Sequence, residues 1–188
     1  MDAELHSRAR AIRAVALDSD GVIFSSRILI GEDGSRFQQR SRVDALGIGL
    51  LRSAGIRIAV ISGGSSVFLS TLTKQFNEMP SAKTGAWAPV NVLGGKHVLG
   101  KDKVTLAEEW LASIGVTWEQ CAYMGDDLSD YHIMQRVGLA VAPRQAEEII
   151  KRLSHYVTLR EGGDGAVRDL ANLILETQGV DVTQLAIK

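Results

Sequence analysis

Two aspartates stand two residues apart, at Asp18 and Asp20, where the apolar run 14–17 gives way to Gly21. Side chains two apart on a strand point the same way, so both carboxylates reach one site if the strand continues through them. If the strand instead ends at Asp18 and the chain turns at Gly21, the Asp18 side chain and the Asp20 backbone carbonyl can face one cation. A solvated turn is the alternative, because Asp and Gly commonly end strands.

Three further aspartates, Asp126, Asp127 and Asp130, follow a second apolar run at residues 121–124. Two acidic strand ends brought side by side would concentrate negative charge that is unstable without a bound cation. Hard carboxylate oxygens favour magnesium over softer metals. The two motifs together predict a Mg2+ site, whose candidate ligands are Asp18, Asp20, Asp126, Asp127 and Asp130.

The composition predicts one globular domain over residues 1–188, since 45% of the residues are hydrophobic and 23% are charged. The 21 basic and 22 acidic side chains give a formal net charge of -1. Such a chain has no overall field to recruit nucleic acid or an anionic membrane surface, so we expect neither as a partner.

Residues 1–13 are polar and charged, unlike the apolar stretch of a signal peptide, and no later apolar run approaches the length of a membrane span. The single cysteine, Cys121, lies in an apolar run and cannot form an internal disulfide, so a buried thiol is expected. These observations predict a cytoplasmic location.

Short apolar runs alternate with amphipathic segments along the chain. The runs predicted as buried strands are residues 14–17, 56–61, 121–124, 139–142 and 156–159. The segments predicted as helices are residues 44–53, 65–76, 103–114, 128–137, 145–153 and 166–178. Such alternation indicates an α/β fold, a parallel sheet covered by helices on both faces. Ligands bind at the carboxyl ends of the strands in that architecture, which places Asp18, Ser62 and Asp126 on one rim.

Two sections interrupt the alternation. Residues 28–37 have a turn-rich centre between extended, apolar flanks, the pattern of a β-hairpin that projects as a flap beside the Asp18 loop or serves structure alone. Residues 77–100 contain two of the three prolines, several glycines and Trp87, and they are predicted to form a long loop with a short strand at 90–93. That loop either adds substrate contacts or merely extends the surface.

Lys103 stands at a predicted helix start, where a positive charge opposes the helix dipole unless an anion lies beside it. Asp18 or a phosphate would be that anion. Lys101 is an alternative, and either lysine can simply be solvated.

Ser62 follows a predicted strand and opens the segment Ser62-Gly63-Gly64. Its hydroxyl and the exposed amides that follow make a plausible phosphate cradle. A helix N-cap is the alternative for this loop, and Ser65 is suited to that role.

Four features in this order resemble the haloacid dehalogenase superfamily of phosphohydrolases. Members carry a D-x-D strand end, a Ser or Thr after a second strand, a Lys at a helix start and a G-D-x-x-x-D loop. The chain matches them with Asp18-Ser19-Asp20-Gly21, Ser62, Lys103 and Gly125-Asp126-Asp127-Leu128-Ser129-Asp130.

The resemblance narrows to the 3-deoxy-D-manno-octulosonate 8-phosphate phosphatases and covers roughly residues 12–177. Nonulosonate 9-phosphate phosphatases and the phosphatase-like domain of animal acylneuraminate cytidylyltransferases share the pattern. It implies a Rossmann-like domain without a large cap, a hairpin flap over about residues 25–40, and a homotetramer in which hairpins pack together. The segments that carry it are residues 18–22, 44–48, 125–127, 137–143 and 162–168, together with the early hairpin.

The resemblance also implies a reaction. Asp18 would attack phosphorus to form an aspartyl-phosphate, and Asp20 would protonate the leaving sugar oxygen and later activate water. Mg2+ would be held by Asp18, the Asp20 carbonyl and Asp126, with Asp127 and Asp130 completing or orienting the metal shell. The residues expected to bind substrate are Ser62, Gly63, Gly64, Lys103 and Arg168, the last either binding a substrate carboxylate or remaining solvated.

The implied substrate is a sugar phosphate, specifically a 3-deoxy-2-keto sugar acid phosphate such as 3-deoxy-D-manno-octulosonate 8-phosphate. A nonulosonate 9-phosphate is the alternative substrate, and a non-catalytic tetramerising module is the alternative function. The chain departs from the pattern at Ser62-Gly63-Gly64, where octulosonate enzymes usually have Thr-Gly-Arg. Gly64 removes a side chain that would help to read the sugar.

Overall fold

The computed structural model describes residues 2–63, 67–94 and 100–185. Six parallel strands form one sheet in the order β5-β4-β1-β6-β7-β8. A separate antiparallel pair, β2 and β3, forms the hairpin. The strands are β1 Ala14–Asp18, β2 Phe24–Ile30, β3 Arg36–Arg40, β4 Arg57–Ser62, β5 Val90–Gly94, β6 Cys121–Met124, β7 Leu139–Ala142 and β8 Tyr156–Val157.

Helices cover both faces of the six-stranded sheet, which confirms the predicted α/β architecture. One layer contains α1, α2, α3 and α8, and the other contains α5, α6 and α7. Within the described part of the chain, no helix is long and apolar enough to span a bilayer. The helices are α1 Ala3–Ala11, α2 Arg42–Ser53, α3 Val67–Asn77, α4 Pro80–Lys83, α5 Lys101–Ile114, α6 Tyr131–Met134, α7 Glu148–Leu153 and α8 Ala166–Thr177.

The central strand β1 sets the two faces of the sheet. It is buried along its whole length and pairs with β4 on one side and β6 on the other. Val15 and Leu17 pack into the α1/α2/α3/α8 layer, whereas Ala14 and Ala16 pack into the α5/α6/α7 layer. Because side chains alternate along a strand, Asp18 belongs to the second face, the one that α5 covers.

Several predicted boundaries were wrong. The helix predicted at 128–137 is a short 3-10 turn, Leu128–Asp130, followed by α6, because Asp127 caps the turn and Asp130 folds back into the site. The helix predicted from residue 145 begins only at Glu148, since the Gln145 side chain bonds two other loops. α1 was not predicted, and the strand predicted at 156–159 spans only Tyr156–Val157.

The predicted hairpin is present and extends from β2 to β3. Leu29 lies opposite Phe37 and Ile28 opposite Gln38, so apolar side chains stand on both of its faces. The two strands are joined through residues 31–35, where the N–H of Gly31 donates to the carbonyl of Ser35. These apolar side chains are largely solvent-exposed in a single copy of the chain.

The described part of the predicted long loop 77–100 lies mainly at the amino end of the sheet, away from the carboxyl rim. The Asn77 side chain donates to the carbonyl of Val90 at 3.1 Å and accepts from its N–H at 2.8 Å, at the first residue of β5. Arg52 donates to the carbonyls of Phe76 and Ala88, and its guanidinium lies 5.3 Å from the Trp87 ring centroid. Residues 77–89 therefore add surface and core at the far end, while residues 95–99 lie outside the described part.

A buried carboxylate joins α2 to the start of α8. Asp44 accepts the backbone N–H groups of Gly165 and Arg168, each at 2.9 Å. These N–H groups lie at the amino end of α8, where a helix leaves its first donors without partners inside the helix. Burial raises the pKa of Asp44, and the two N–H donors oppose that shift by favouring the charged form.

We expect Asp44→Ala to lower the free energy of unfolding by about 2 kcal/mol, because it strands buried donors that a carboxylate now satisfies. Urea denaturation followed by circular dichroism measures the change. Glu109→Ala, at an exposed position on α5, is the control and should stay within about 0.5 kcal/mol of wild type. Equal stability of the two variants would contradict the proposed importance of Asp44.

Candidate functional site

Asp18 lies at the carboxyl end of β1 and is buried. Its Oδ1 accepts a hydrogen bond from the Nζ of Lys103 at 2.8 Å. Lys103 lies in the first turn of α5, the helix that covers the same face of the sheet. The anionic partner predicted for Lys103 is therefore Asp18. The alternative, Lys101, has a side chain outside the described part of the structure.

The Lys103 side chain is only 2% exposed, and its ammonium donates in three directions. Its partners are Asp18 at 2.8 Å, Asp130 Oδ1 at 2.7 Å and the Ser129 hydroxyl at 3.3 Å. An ammonium carries three protons, so this geometry uses all of them. Burial acts to lower the pKa of Lys103, but the Asp18 and Asp130 carboxylates raise it above its usual value, and the side chain stays charged.

Asp130 is completely buried and organises the second acidic loop. Its Oδ1 accepts from Lys103 and from the Tyr123 hydroxyl, the latter at 2.6 Å. Its Oδ2 accepts the backbone N–H groups of Asp126 at 3.0 Å and Asp127 at 3.3 Å. Four donors match the roughly four lone-pair positions of a carboxylate. Asp130 is thus committed to holding Lys103 and the loop in place.

Asp18, Asp126 and Asp130 each offer a carboxylate oxygen within 4.8 Å of the others. Burial, together with repulsion from Asp130, raises the pKa of Asp18 to about 8 despite the attraction of Lys103. Burial and the neighbouring Asp130 and Asp127 raise the pKa of Asp126 to about 7. Ionising Asp18 and Asp126 together without a further cation is therefore unfavourable. An all-oxygen donor set of this kind fits a hard divalent cation such as Mg2+.

Asp127 lies at the edge of this group. Its Oδ1 accepts the N–H of Leu128 at 2.6 Å, which caps the 3-10 turn. The Asp127 side chain is exposed and is not one of the three carboxylates that converge. Its position suits it to orient the loop rather than to face the cluster.

Asp20 is exposed and points toward the hairpin. Its Oδ1 accepts from the Gln38 side-chain amide at 2.8 Å, and its Oδ2 lies 3.3 Å from the Ser19 hydroxyl. The Ser19 hydroxyl also lies 2.9 Å from the Ser62 hydroxyl, so a chain of polar contacts runs from Asp20 to the end of β4. The Asp20 carboxylate is separate from the three that converge.

Ser62 and Gly63 lie at the carboxyl end of β4, next to β1, as the rim argument requires. Gly64 and Ser65 fall outside the described residues, so the structure does not describe the rest of the predicted phosphate cradle. Arg168 lies in α8, where its Nε donates to Asn172 at 2.8 Å, one turn further along that helix. Its described contacts do not bring it to Asp18.

Gly21 is a glycine for a steric reason. Its φ of 77° is in the left-handed region, and a Cβ there would lie 1.9 Å from Oδ2 of Asp126. The Gln145 side chain donates to the Gly21 carbonyl at 2.7 Å and accepts the N–H of Gly162 at 2.8 Å. A Cβ on Gly162 would lie 1.8 Å from the same carbonyl. The turn after Asp20 is therefore held by close backbone packing and by Gln145.

A cavity of about 500 Å³ lies between the hairpin and residues 161–164, beside Gln38. Its lining combines Arg27, Glu161 and Asp164 with the apolar ring of Phe37. Polar groups of both signs around an apolar wall suit a ligand with hydroxyl and charged groups. The cavity adjoins the Asp20 side of the site.

Three residues of this network were not found by sequence reasoning. Tyr123 sits in an apolar strand and was interpreted as core, although its hydroxyl follows from the alternation that places it on the Asp18 face. Gln145 was assigned to a helix. No sequence motif marked Gln38 as a site residue, because its contact with Asp20 depends on how the hairpin packs against the Asp18 loop.

A buried Asp–Lys pair and a carboxylate cluster at the rim of a parallel sheet match the arrangement of a haloacid dehalogenase-like hydrolase, the family whose model matches residues 97–170. The chain is 34% identical over 173 residues to the 3-deoxy-D-manno-octulosonate 8-phosphate phosphatase of Yersinia pestis, with 91% of this chain and 83% of that protein covered.

Solved structures agree. The crystal structure of the Yersinia pestis phosphatase superposes with a TM-score of 0.82 at 30% identity, covering 100% of this chain and 93% of that one. The Moraxella catarrhalis phosphatase, in complex with magnesium ion, phosphate ion and a KDO molecule, gives a TM-score of 0.80 at 28% identity, covering 94% and 92%. The chain belongs to the 3-deoxy-D-manno-octulosonate 8-phosphate phosphatase family, and the resemblance drawn from the motifs is confirmed.

We expect Mg2+ to bind more tightly as the pH rises from about 6 to about 8.5, because the cation must displace protons from Asp18 and Asp126, whose pKa values are raised. Calorimetry in buffers of different protonation enthalpy measures both the affinity and the protons released. Asp126→Asn should bind Mg2+ more weakly and release fewer protons. Asp102→Asn, an exposed change on α5, is the control and should match wild type. An affinity independent of pH would contradict this assignment.

Proposed function

We propose that this protein is a Mg2+-dependent phosphomonoester hydrolase whose substrate is a 3-deoxy-2-keto sugar acid phosphate, with 3-deoxy-D-manno-octulosonate 8-phosphate as the first candidate. The observation that carries the proposal is the buried Asp18 carboxylate, held by Lys103 beside Asp126 at the carboxyl rim of the sheet. Family membership supports the same reaction.

Asp18 is the proposed nucleophile. Its Oδ1 is bound to Lys103, which fixes the carboxylate and leaves Oδ2 to attack phosphorus. As the Asp18–phosphorus bond forms, the bond from phosphorus to the sugar oxygen breaks, giving an aspartyl-phosphate and the free sugar acid. The Ser62 hydroxyl is proposed to bind the phosphoryl oxygens, with the backbone of Gly63 and Gly64 beside it. Lys103 is proposed to bind one of these oxygens in place of Ser129, its longest contact at 3.3 Å.

Asp20 is the proposed general acid and base. It gives its proton to the departing sugar oxygen, so the sugar leaves as an alcohol. It then takes a proton from a water molecule that attacks phosphorus. The phosphorus–Asp18 bond breaks in this second step, which releases inorganic phosphate and restores the Asp18 carboxylate. Each carboxylate thus has one task, and their different surroundings separate those tasks.

The proposed Mg2+ ligands are the side chains of Asp18 and Asp126 and the backbone carbonyl of Asp20. When bound, the ion supplies positive charge that offsets repulsion between the nucleophile and the phosphoryl oxygens. Asp130 is proposed to act through Lys103 and the loop amides, since its oxygens already accept four hydrogen bonds. Asp127 is proposed to orient the same loop.

We expect Asp18→Asn to lower phosphate release by about 1000-fold or more, because it removes the nucleophile. The fold should survive: the pKa of Asp18 is raised in the folded protein, so the ionised carboxylate costs stability near neutral pH, and a neutral amide removes that cost. Phosphate release and thermal unfolding measure the two effects. Asp102→Asn is the matched control. Near-normal activity of Asp18→Asn would overturn the proposed mechanism.

The substrate itself is tested with a panel of sugar phosphates that includes 3-deoxy-D-manno-octulosonate 8-phosphate and nonulosonate 9-phosphates, assayed with and without Mg2+. A preference of at least about tenfold in kcat/KM for the octulosonate ester is expected. A preference for a nonulosonate ester would instead assign nonulosonate 9-phosphates as the substrate class. Absence of phosphate release from every ester would favour a non-catalytic module.

We also propose that the chain is a single domain over residues 1–188, with a core at 12–177 and a flap at 25–40, that works in the cytoplasm. The six-stranded sheet, covered by a helical layer on each face, supports one domain. Cys121 is a buried free cysteine, and burial raises the pKa of its thiol to about 12. Free thiols are usual in a reducing compartment such as the cytoplasm.

Assembly into a homotetramer through the hairpins completes the proposal. Ile28, Leu29, Ile30 and Phe37 are 51%, 72%, 68% and 61% exposed in a single copy. An exposed apolar patch of this kind on a two-stranded flap is typical of a surface that another protein surface covers. Both faces of the hairpin carry apolar residues, so contacts with more than one neighbour fit better than a single flat interface.

Leu29→Ser combined with Phe37→Ser is expected to convert the tetramer into smaller species, because it removes the largest exposed apolar groups of one hairpin face. Size-exclusion chromatography with light scattering measures the mass. Val92→Ser, at an exposed apolar position on the edge strand β5, is the control and should leave the mass unchanged. A monomeric wild-type protein would contradict the proposed assembly.

A further inference from the structure

Gln38, on strand β3, links the hairpin directly to the proposed acid and base. Its amide nitrogen donates to Asp20 Oδ1 at 2.8 Å and to the backbone carbonyl of Ser25 at 2.9 Å. An amide nitrogen has two hydrogens, so both are used. Because a carbonyl and a carboxylate only accept, the nitrogen rather than the amide oxygen must face both groups. The orientation of the Gln38 side chain is therefore determined by its surroundings.

The second oxygen of Asp20 is held much more weakly. Oδ2 lies 3.3 Å from the Ser19 hydroxyl, which has one hydrogen and lies closer, at 2.9 Å, to the Ser62 hydroxyl. Asp20 is exposed and precedes the turn at Gly21. The Gln38 contact is thus the strongest described restraint on the Asp20 side chain, and it leaves Oδ2 available for proton transfer.

We propose that Gln38 is a positioning residue that holds Asp20 where it can protonate the leaving oxygen, so that the docked hairpin is part of the catalytic arrangement. This inference rests on the proposed phosphatase function. Gln38 itself need not touch the substrate. It acts through Asp20, because a proton donor misplaced by about 1 Å loses much of its effect.

Two substrates with different leaving groups distinguish the proposed positioning role of Gln38 from a purely structural role. A sugar alkoxide is a poor leaving group and needs a proton as the phosphorus–oxygen bond breaks. The p-nitrophenolate anion leaves without one, while attack by Asp18 remains the same. A variant that misplaces Asp20 should therefore lower kcat/KM, which reports the steps up to departure of the leaving group, far more for the sugar phosphate than for p-nitrophenyl phosphate. Hydrolysis of the aspartyl-phosphate also uses Asp20 but is the same for both esters, so it can lower both kcat values. A variant that merely disturbs the fold should lower kcat/KM for both esters together.

The experiment measures kcat and KM on 3-deoxy-D-manno-octulosonate 8-phosphate and on p-nitrophenyl phosphate. For Gln38→Ala we expect kcat/KM on the sugar ester to fall by about tenfold or more, with at most about a threefold change on the aryl ester. Gln38→Glu, which has the same shape but places an acceptor against Asp20, should show the same selective loss. Gln38→Lys keeps a donor of similar reach and should restore much of the sugar ester turnover.

Gln135→Ala is the matched control, because Gln135 is the same residue type, is exposed just after α6 and bonds only the Tyr131 hydroxyl among its described side-chain contacts. It should leave the ratio of the two activities unchanged. Equal losses of kcat/KM on both esters in Gln38→Ala and Gln38→Glu, or no loss on either, would overturn the role of Gln38. Failure of the wild-type protein to hydrolyse any sugar phosphate would instead overturn the proposed function, and the two failures are therefore distinguishable.

Discussion

The buried ammonium of Lys103 holds the acidic groups of the site together. Lys103 is surrounded by Asp18, Asp130 and Ser129, and its charge is what allows two carboxylates to lie so close together beneath the rim. The charge also has an architectural effect. It joins β1, α5 and the loop after β6, three elements far apart in sequence, at one point. A charge buried here is tolerable because every one of its protons has an acceptor.

The sheet supplies the geometry that this ion pair needs. Alternation along β1 sends Asp18 to the face that α5 covers, and the same alternation along β6 sends the Tyr123 hydroxyl there as well. Gly125 then allows Asp130 to fold back, since a Cβ on that glycine would lie 2.4 Å from the Asp130 side chain. Side-chain alternation along the strands and the absence of a side chain at Gly125 are enough to bring the acidic loop after β6 against the one after β1.

Sequence reasoning reached the parts of this arrangement that follow from periodicity. Apolar runs followed by polar residues predicted that Asp18, Ser62 and Asp126 lie at or just after strand ends and that Lys103 lies at a helix start. The alternation of these runs with amphipathic segments predicted the α/β architecture. What sequence reasoning could not reach depends on side chains choosing among several partners. Asp127 was predicted to complete or orient the metal shell, and the spacing could not show that its carboxylate caps the adjacent turn. Arg168 was predicted either to bind a substrate carboxylate or to remain solvated, and the spacing could not show that its Nε donates to Asn172 in the same helix. Such choices depend on distances of an ångström or less, which spacing along a chain does not encode.

The packing of Gly162 and Gly163 against the turn that follows Asp20 has a different character from the ionic network. Gly162 lies against the Gly21 carbonyl, and the Gly163 N–H donates to the carbonyl of Val22 at 2.8 Å. Backbone amides neither titrate nor change rotamer, so this contact is indifferent to the protons and counterions that alter the neighbouring carboxylates. The backbone of the turn is thus held by contacts that do not depend on pH or on bound cations. Exchange of protons or cations at the neighbouring carboxylates leaves these contacts unchanged.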